Sequence, residues 1–263
     1  MSAYAAIFSA RFRTLLQYRA AAVAGLATQL FWGVIRVMIF TAFYSSSSAE
    51  QPMSLAQVVT YIWLSQAMFR LLPWGVDPGI RQMIRSGSVA YEMLRPLDVY
   101  SLWVTRAVAN HAAPTLLRAA PMVPVAFLLF GLQGPDSPAA FVAWVLSMCA
   151  ALMLSAVMAT FMAILMLWTV SGEGIGRLMM IAMGFFSGMY VPLPLFPDWA
   201  RRVLDVLPWR GLVDIPLRLY MGHLAPSELP PLLAFQGVWI LVFVVTGRSI
   251  LSLGAKRLVI QGG

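Results

Sequence analysis

The run from Val76 to Tyr100, VDPGIRQMIRSGSVAYEMLRPLDVY, decides how the rest of the chain is read. It lies between two long apolar segments, yet it carries Asp77, Arg81, Arg85, Glu92, Arg95 and Asp98. It opens on Asp77-Pro78-Gly79 and holds the turn signal Arg85-Ser86-Gly87-Ser88. In a chain that is 60% hydrophobic, a polar, helix-capable stretch of this length must stand in water.

The surrounding composition says what it stands outside of. Only 11% of the 263 residues are charged and mean hydropathy is +0.80, against about 25% charged in a soluble domain. A hydrocarbon core about 30 Å thick needs roughly 20 apolar residues per helix, so the chain has room for about six or seven spans. The expected fold is an all-α integral membrane protein. Cys149 is the single cysteine and sits in an apolar run, which excludes a disulfide within one chain and any cysteine metal cluster. His111 and His223 are too few to build a metal site, so none is expected. The net charge of +8 reads as a record of membrane orientation rather than of a nucleic-acid partner.

Taken in order, residues 3–19 form an amphipathic segment with Tyr4, Ile7, Phe8, Phe12, Leu15 and Leu16 at helical spacing, as in a helix lying in the membrane interface. A first span is expected over about 20–43, with Arg36 inside it, where a charge is costly unless relieved. Snorkelling, an inter-helix hydrogen bond or a polar translocation path would each relieve it. Further spans are expected over about 55–74, 115–131, 139–169, 178–191 and 232–253. Residues 98–112 read as another interfacial segment broken by Pro114. The fourth span is too long for a straight crossing and should tilt or bend. Pro192, Pro194 and Pro197 cut the fifth span short, and the amphipathic stretch that follows reads as short helices re-entering or lying on the outer interface.

Arginine and lysine fall on alternate loops. They occur before the first span, after the second, after the fourth as Arg177, and after the sixth as Lys256-Arg257. The positive-inside rule then places both termini in the cytoplasm. Residues 196–231, with Arg201, Arg202, Arg210 and Arg218, run against that pattern and are outvoted by the other loops.

The chemistry that is missing narrows the function. All ten acidic residues can be placed outside the six spans, which counts against an ion-driven carrier. The only lysine, Lys256, lies in no phosphate-binding loop, and Gly172-x-Gly174-x-Gly176 follows a membrane helix rather than a strand. Any energy for uphill transport must therefore come from another chain. Ser187 could pair in principle with His111 or His223, but the two histidines read towards opposite sides of the membrane. No catalytic residue and no cofactor are expected on this chain.

IRSGSVAYEMLRPLD at 84–98, VPLPLFPDWARRVLDVLPW at 191–209 and the ending KRLVIQGG at 256–263, in this order of parts, resemble the membrane-spanning permease subunit of a type-2 ATP-binding-cassette exporter. The likeness covers essentially the whole chain, and the subgroup it points to is bacterial and without an assigned substrate. The resemblance implies a permease of the bacterial inner membrane that pairs with an identical or sister permease. It further implies two separate ATPase subunits, which would bind the ATP and Mg. A coupling helix would fall around Gly79 to Met93, with Arg81, Arg85 and Glu92 as docking residues and Glu173 as a smaller second contact. Pro192, Pro194, Phe196 and Trp199 would belong to a re-entrant outer gate. Trp32, Arg36, Phe185 and Tyr190 would line the path. Two rivals stay open on the residues alone: the vitamin-capturing membrane subunit of a modular importer, and an intramembrane hydrolase or acyltransferase using His111 or Ser187.

Overall fold

The structure, a computed structural model, describes residues 2–48, 50–168 and 173–258. Those residues are helical and form no strand. The helices are α1 (Ala3–Leu16), α2 (Arg19–Ser46), α3 (Leu55–Ala67), α4 (Pro78–Arg85), α5 (Val89–Met93) and α6 (Val99–Leu129). They continue as α7 (Pro138–Met166), α8 (Glu173–Phe186), α9 (Asp198–Leu204), α10 (Asp214–Tyr220) and α11 (Leu229–Leu258).

Among the described residues, four stretches are long and apolar enough to cross a membrane: α2, α6, α7 and Pro226–Gly254, which takes in most of α11. The expected second span, 55–74, is instead the 13-residue α3 followed by a 3-10 turn at Phe69–Leu71. At 1.5 Å per residue α3 is about 20 Å long, short of a full bilayer core. It is nonetheless largely enclosed, with Val58, Tyr61, Ile62, Trp63 and Leu64 all buried. The expected fifth span, 178–191, is α8 and ends at Phe186.

The clearest departure from the sequence reading is α6. An interfacial segment over 98–112 and a separate span over 115–131 were expected; the chain forms one helix of 31 residues, with Pro114, Pro121 and Pro124 inside it. Each proline removes one backbone donor, but Trp103, Ala109, Ala113, Met122 and Ala126 are buried along its length. Packing against α1, α7 and α2 holds the helix through the missing bonds. Asp98 fixes its start by accepting from the Ser101 backbone N–H at 3.0 Å.

Helix α7 is the most buried of the four long stretches. Ala140, Ala143, Ser147, Ala151, Ser155 and Ala159 along it let α6, α10 and α11 approach closely. Its 29 residues reach about 43 Å, longer than a bilayer core is thick.

Hydrogen bonds gather the connections into two ends. At one end the Tyr44 hydroxyl donates to Met53 O at 2.7 Å and the Tyr220 hydroxyl to Gln133 O at 3.1 Å, while Asp136 N donates to Tyr220 O at 3.0 Å. At the other end Arg11 pairs with Asp77 at 2.9 Å, Arg106 with Glu92 at 2.7 Å and Arg248 with Asp98 at 2.8 Å. The polar stretch that decided the sequence reading forms this second end.

Candidate functional site

Residues 77–98 fold as an elbow of two short helices. Asp77 caps the first by accepting from Gly79 N at 2.7 Å and Ile80 N at 3.1 Å, with Pro78 at the first helical position, where its missing N–H costs nothing. The bend follows at Gly87, whose φ of +73° suits glycine and strains an L side chain. Ile80 and Val89 face inward, packed against Tyr100, Leu102 and Trp103 of α6.

The residues expected at the coupling helix divide between the two faces of this elbow. Glu92 turns inward: it is 5% exposed, bonds Arg106 at 2.7 Å and accepts from Trp103 Nε1 at 2.9 Å. It clamps the elbow to α6 and is not presented to a partner. Arg81 is half-buried and lines a cavity behind α4, whereas Arg85 lies on the outer face. Two residues that sequence reasoning passed over stand out there: Tyr91 is 74% exposed and Leu94 81%. Their signal was in the sequence, because apolar side chains on a stretch forced into water need a reason. Glu173 opens α8, but its side chain, like the whole of Ser171-Gly172 before it, lies outside the described residues.

The segment expected to form the outer gate leaves α8 through another glycine turn. Gly188 has φ +86°, and the Tyr61 hydroxyl occupies the space where a Cβ would stand. Asp214 N donates to Ser187 O at 3.2 Å, which ties the far side of the hairpin back to its start. Pro192 and Pro194 are buried, Phe196 is half-buried and Trp199 is exposed at the surface of α9. Asp214 is fully buried and pairs with Arg218 at 3.4 Å.

Of the four residues nominated for a path, three come together. Arg36 is 9% exposed and donates to Ser65 Oγ at 3.2 Å and to Tyr190 O at 3.0 Å. It thereby joins α2 to α3 and to the turn after α8, the inter-helix hydrogen bond foreseen as one way to relieve its charge. Tyr190 packs edge-on against Phe185 with ring centroids 5.3 Å apart and covers Gly184. Trp32, one turn before Arg36, is exposed on α2 and stacks edge-on with Phe31.

The nucleophile suggested by sequence meets no base among the described residues. Ser187 Oγ donates to Met183 O of its own helix at 2.5 Å. His223 lies at the hairpin end, 3.0 Å from Arg218 and 3.2 Å from Pro52 O. His111 does meet a serine, Ser155, with Nδ1 and Oγ 2.6 Å apart inside the bundle. Ser155 also donates to Leu71 O. Since a hydroxyl has one proton, both contacts are satisfied when His111 donates from Nδ1 and Ser155 donates onward to the carbonyl. That direction leaves the serine unactivated, so the pair braces α6, α7 and the turn after α3. No group of three or more metal-ligating side chains occurs among the described residues.

The family described as ABC-2 family transporter protein matches residues 26–262, from within α2 to the end of the chain. The chain belongs to the ABC-2 family. It is accordingly a multi-pass membrane permease component of an ABC transporter, and ABC ATPase subunits are its partners. No curated protein and no solved structure matches this ABC-2 permease. Its long apolar helices suit such a component.

Proposed function

We propose that this ABC-2 permease is the translocating half of an exporter, coupled to its ATPases through the α4–α5 elbow. The observation that carries the reading is Tyr91 and Leu94, two large apolar side chains held bare on a segment whose inner face Glu92 locks to α6. Bare apolar groups on an otherwise polar surface are what a partner surface buries. The partner is the ATPase that family membership implies, and Arg85 and Arg95 beside the apolar pair favour an acidic rim on it.

In this account the chain crosses the membrane six times, with α3 and α8 crossing as short helices within the bundle. The elbow and both termini lie in the cytoplasm of a bacterial cell. Two permeases, identical or sister, pair along the faces of α2 and α8, and two ATPases bind beneath them. ATP and Mg bind there, and their closure rocks each elbow with α6, because the Glu92–Arg106 bond makes the two move together. The Gly172 loop, with Glu173, supplies the smaller second contact, and residues 191–209 gate the outer end. The path runs past Arg36 and Tyr190.

The test is Tyr91→Glu with Leu94→Glu, co-expressed with the ATPase. The permease should still purify as a folded, monodisperse protein while ATPase recovery falls at least about tenfold, as loss of two central apolar anchors at about 1–2 kcal/mol each implies. Undiminished ATPase recovery and transport would place docking elsewhere.

A further inference from the structure

A cavity of about 490 Å3 opens behind the elbow, between α1, α4, α6 and α7. Three guanidinium groups reach its wall, from Arg11, Arg70 and Arg81, and one carboxylate, from Asp77. That carboxylate is already committed. Its Oδ1 accepts from two backbone N–H groups of α4, and its Oδ2 takes Arg11 at 2.9 Å together with Asn110 Nδ2. Arg11 is held in turn by Asn110 Oδ1 at 2.9 Å.

Nothing comparable meets the other two arginines. The Nε atoms of Arg70 and Arg81 are out of solvent and bond to nothing among the described residues, and neither side chain has a carboxylate partner there. Arg118 stands near Arg70 and adds to the positive charge rather than offsetting it. The His111 ring, held through Nδ1 by Ser155, also lines the cavity. A guanidinium Nε held out of solvent without an acceptor is costly, and the fork geometry of the group suits the paired oxygens of a phosphate.

We propose that this cavity binds a phosphate-bearing anion, with Arg70 and Arg81 taking the phosphoryl oxygens and the Arg11–Asp77–Asn110 cluster forming the rim. The phosphate comes either from an anionic phospholipid headgroup entering from the interface beside α1 or from a soluble phosphomonoester. The site is independent of ATPase docking, since its walls lie behind the elbow and Tyr91 and Leu94 stand outside it.

The full-length permease, reconstituted in phosphatidylcholine nanodiscs with a minor fraction of phosphatidylglycerol, is released into mild detergent for native mass spectrometry. Retained phosphatidylglycerol on the wild type, reduced about tenfold or more in Arg70→Gln with Arg81→Gln but not in the control pair Arg201→Gln with Arg202→Gln, establishes the lipid source. In the second arm the delipidated wild type is melted with glycerol 3-phosphate and with glycerol. A stabilising shift from the phosphate alone, absent in the Arg70/Arg81 variant, establishes the soluble source. Arg70→Lys with Arg81→Lys, which keeps the charge without the fork, should bind to an intermediate degree. If the glutamine pair does not fold, the wild-type arms decide. A wild type that neither retains phosphatidylglycerol above the bulk lipid ratio nor responds to glycerol 3-phosphate overturns the proposal. So does equal retention by wild type and a folded glutamine variant.

Discussion

At the scale of single residues, the bonds of Arg36 and Asp98 give predictions that do not depend on the transported substrate. Arg36 joins three segments through two charged hydrogen bonds, each worth about 1.5–3 kcal/mol when lost from a buried setting. Arg36→Met should therefore lower the melting temperature of the detergent-solubilised permease by several degrees; an unchanged melt would show the bonds to be dispensable. Asp98 links the start of α6 to Arg248 of α11. Partial burial alone would raise its pKa, but bonds from Ser101 and Arg248 outweigh it and hold the carboxyl below its usual 3.8. A carboxyl depressed in the folded state stabilises it fully above the ordinary value, and that contribution fades as pH falls through the lowered one. The Asp98 contribution to melting temperature should thus be full and constant from neutral pH to about 5, and Asp98→Asn should remove part of the fall seen below about 4. A variant whose acid profile matches the wild type would contradict the linkage.

At the scale of elements, the elbow is held by one buried ion pair and one glycine bend. Breaking a buried pair from one side costs about 3–5 kcal/mol, and here the loss falls on two short helices of eight and five residues. Glu92→Ala should raise hydrogen exchange across residues 76–97 while α7 stays protected; uniform protection would assign the clamp elsewhere. The sequence made this elbow legible because polar residues and a turn signal interrupt apolar runs. It did not make the direction of Glu92 legible, because that depends on Trp103 and Arg106, which local pattern does not place beside it. Helix α6 was misread for a related reason: Pro114 weakens a helix locally, and only burial along its whole length keeps it continuous. The pairing of Arg36 with Ser65 and Tyr190 depends likewise on three segments far apart in sequence meeting in space. The apolar run over 55–74 overstated the length of α3, because apolar composition measures burial in protein as readily as burial in lipid.

At the scale of the whole molecule, the two ends of the bundle have different chemistry. One end gathers short helices, tight glycine turns and carbonyl bonds around Tyr61, Asp136 and Tyr220; the other gathers the ion pairs and the unpaired arginines of the cavity. Gly188→Ala should disturb the first end without touching the second. Its φ of +86° costs an L residue about 1–2 kcal/mol, and its Cβ would displace the Tyr61 hydroxyl. Transport should fall while ATPase association persists; loss of association would mean that the two ends do not act separately. The class of the protein was legible in its composition and in the order of its parts. Other apolar residues, such as Leu128 and Trp199, are about as exposed as Tyr91 and Leu94, and it is the place of Tyr91 and Leu94 on the polar elbow that sets the pair apart; the cavity required the fold.

The most direct measurement of the central claim is affinity purification of the tagged permease in mild detergent, with quantitative mass spectrometry of what accompanies it. The account predicts an ABC ATPase in equal amount to permease, as two of each per complex, with the ATPase lost in the Tyr91→Glu, Leu94→Glu variant. A permease recovered without any ATPase, or an ATPase retained undiminished by that variant, would contradict it.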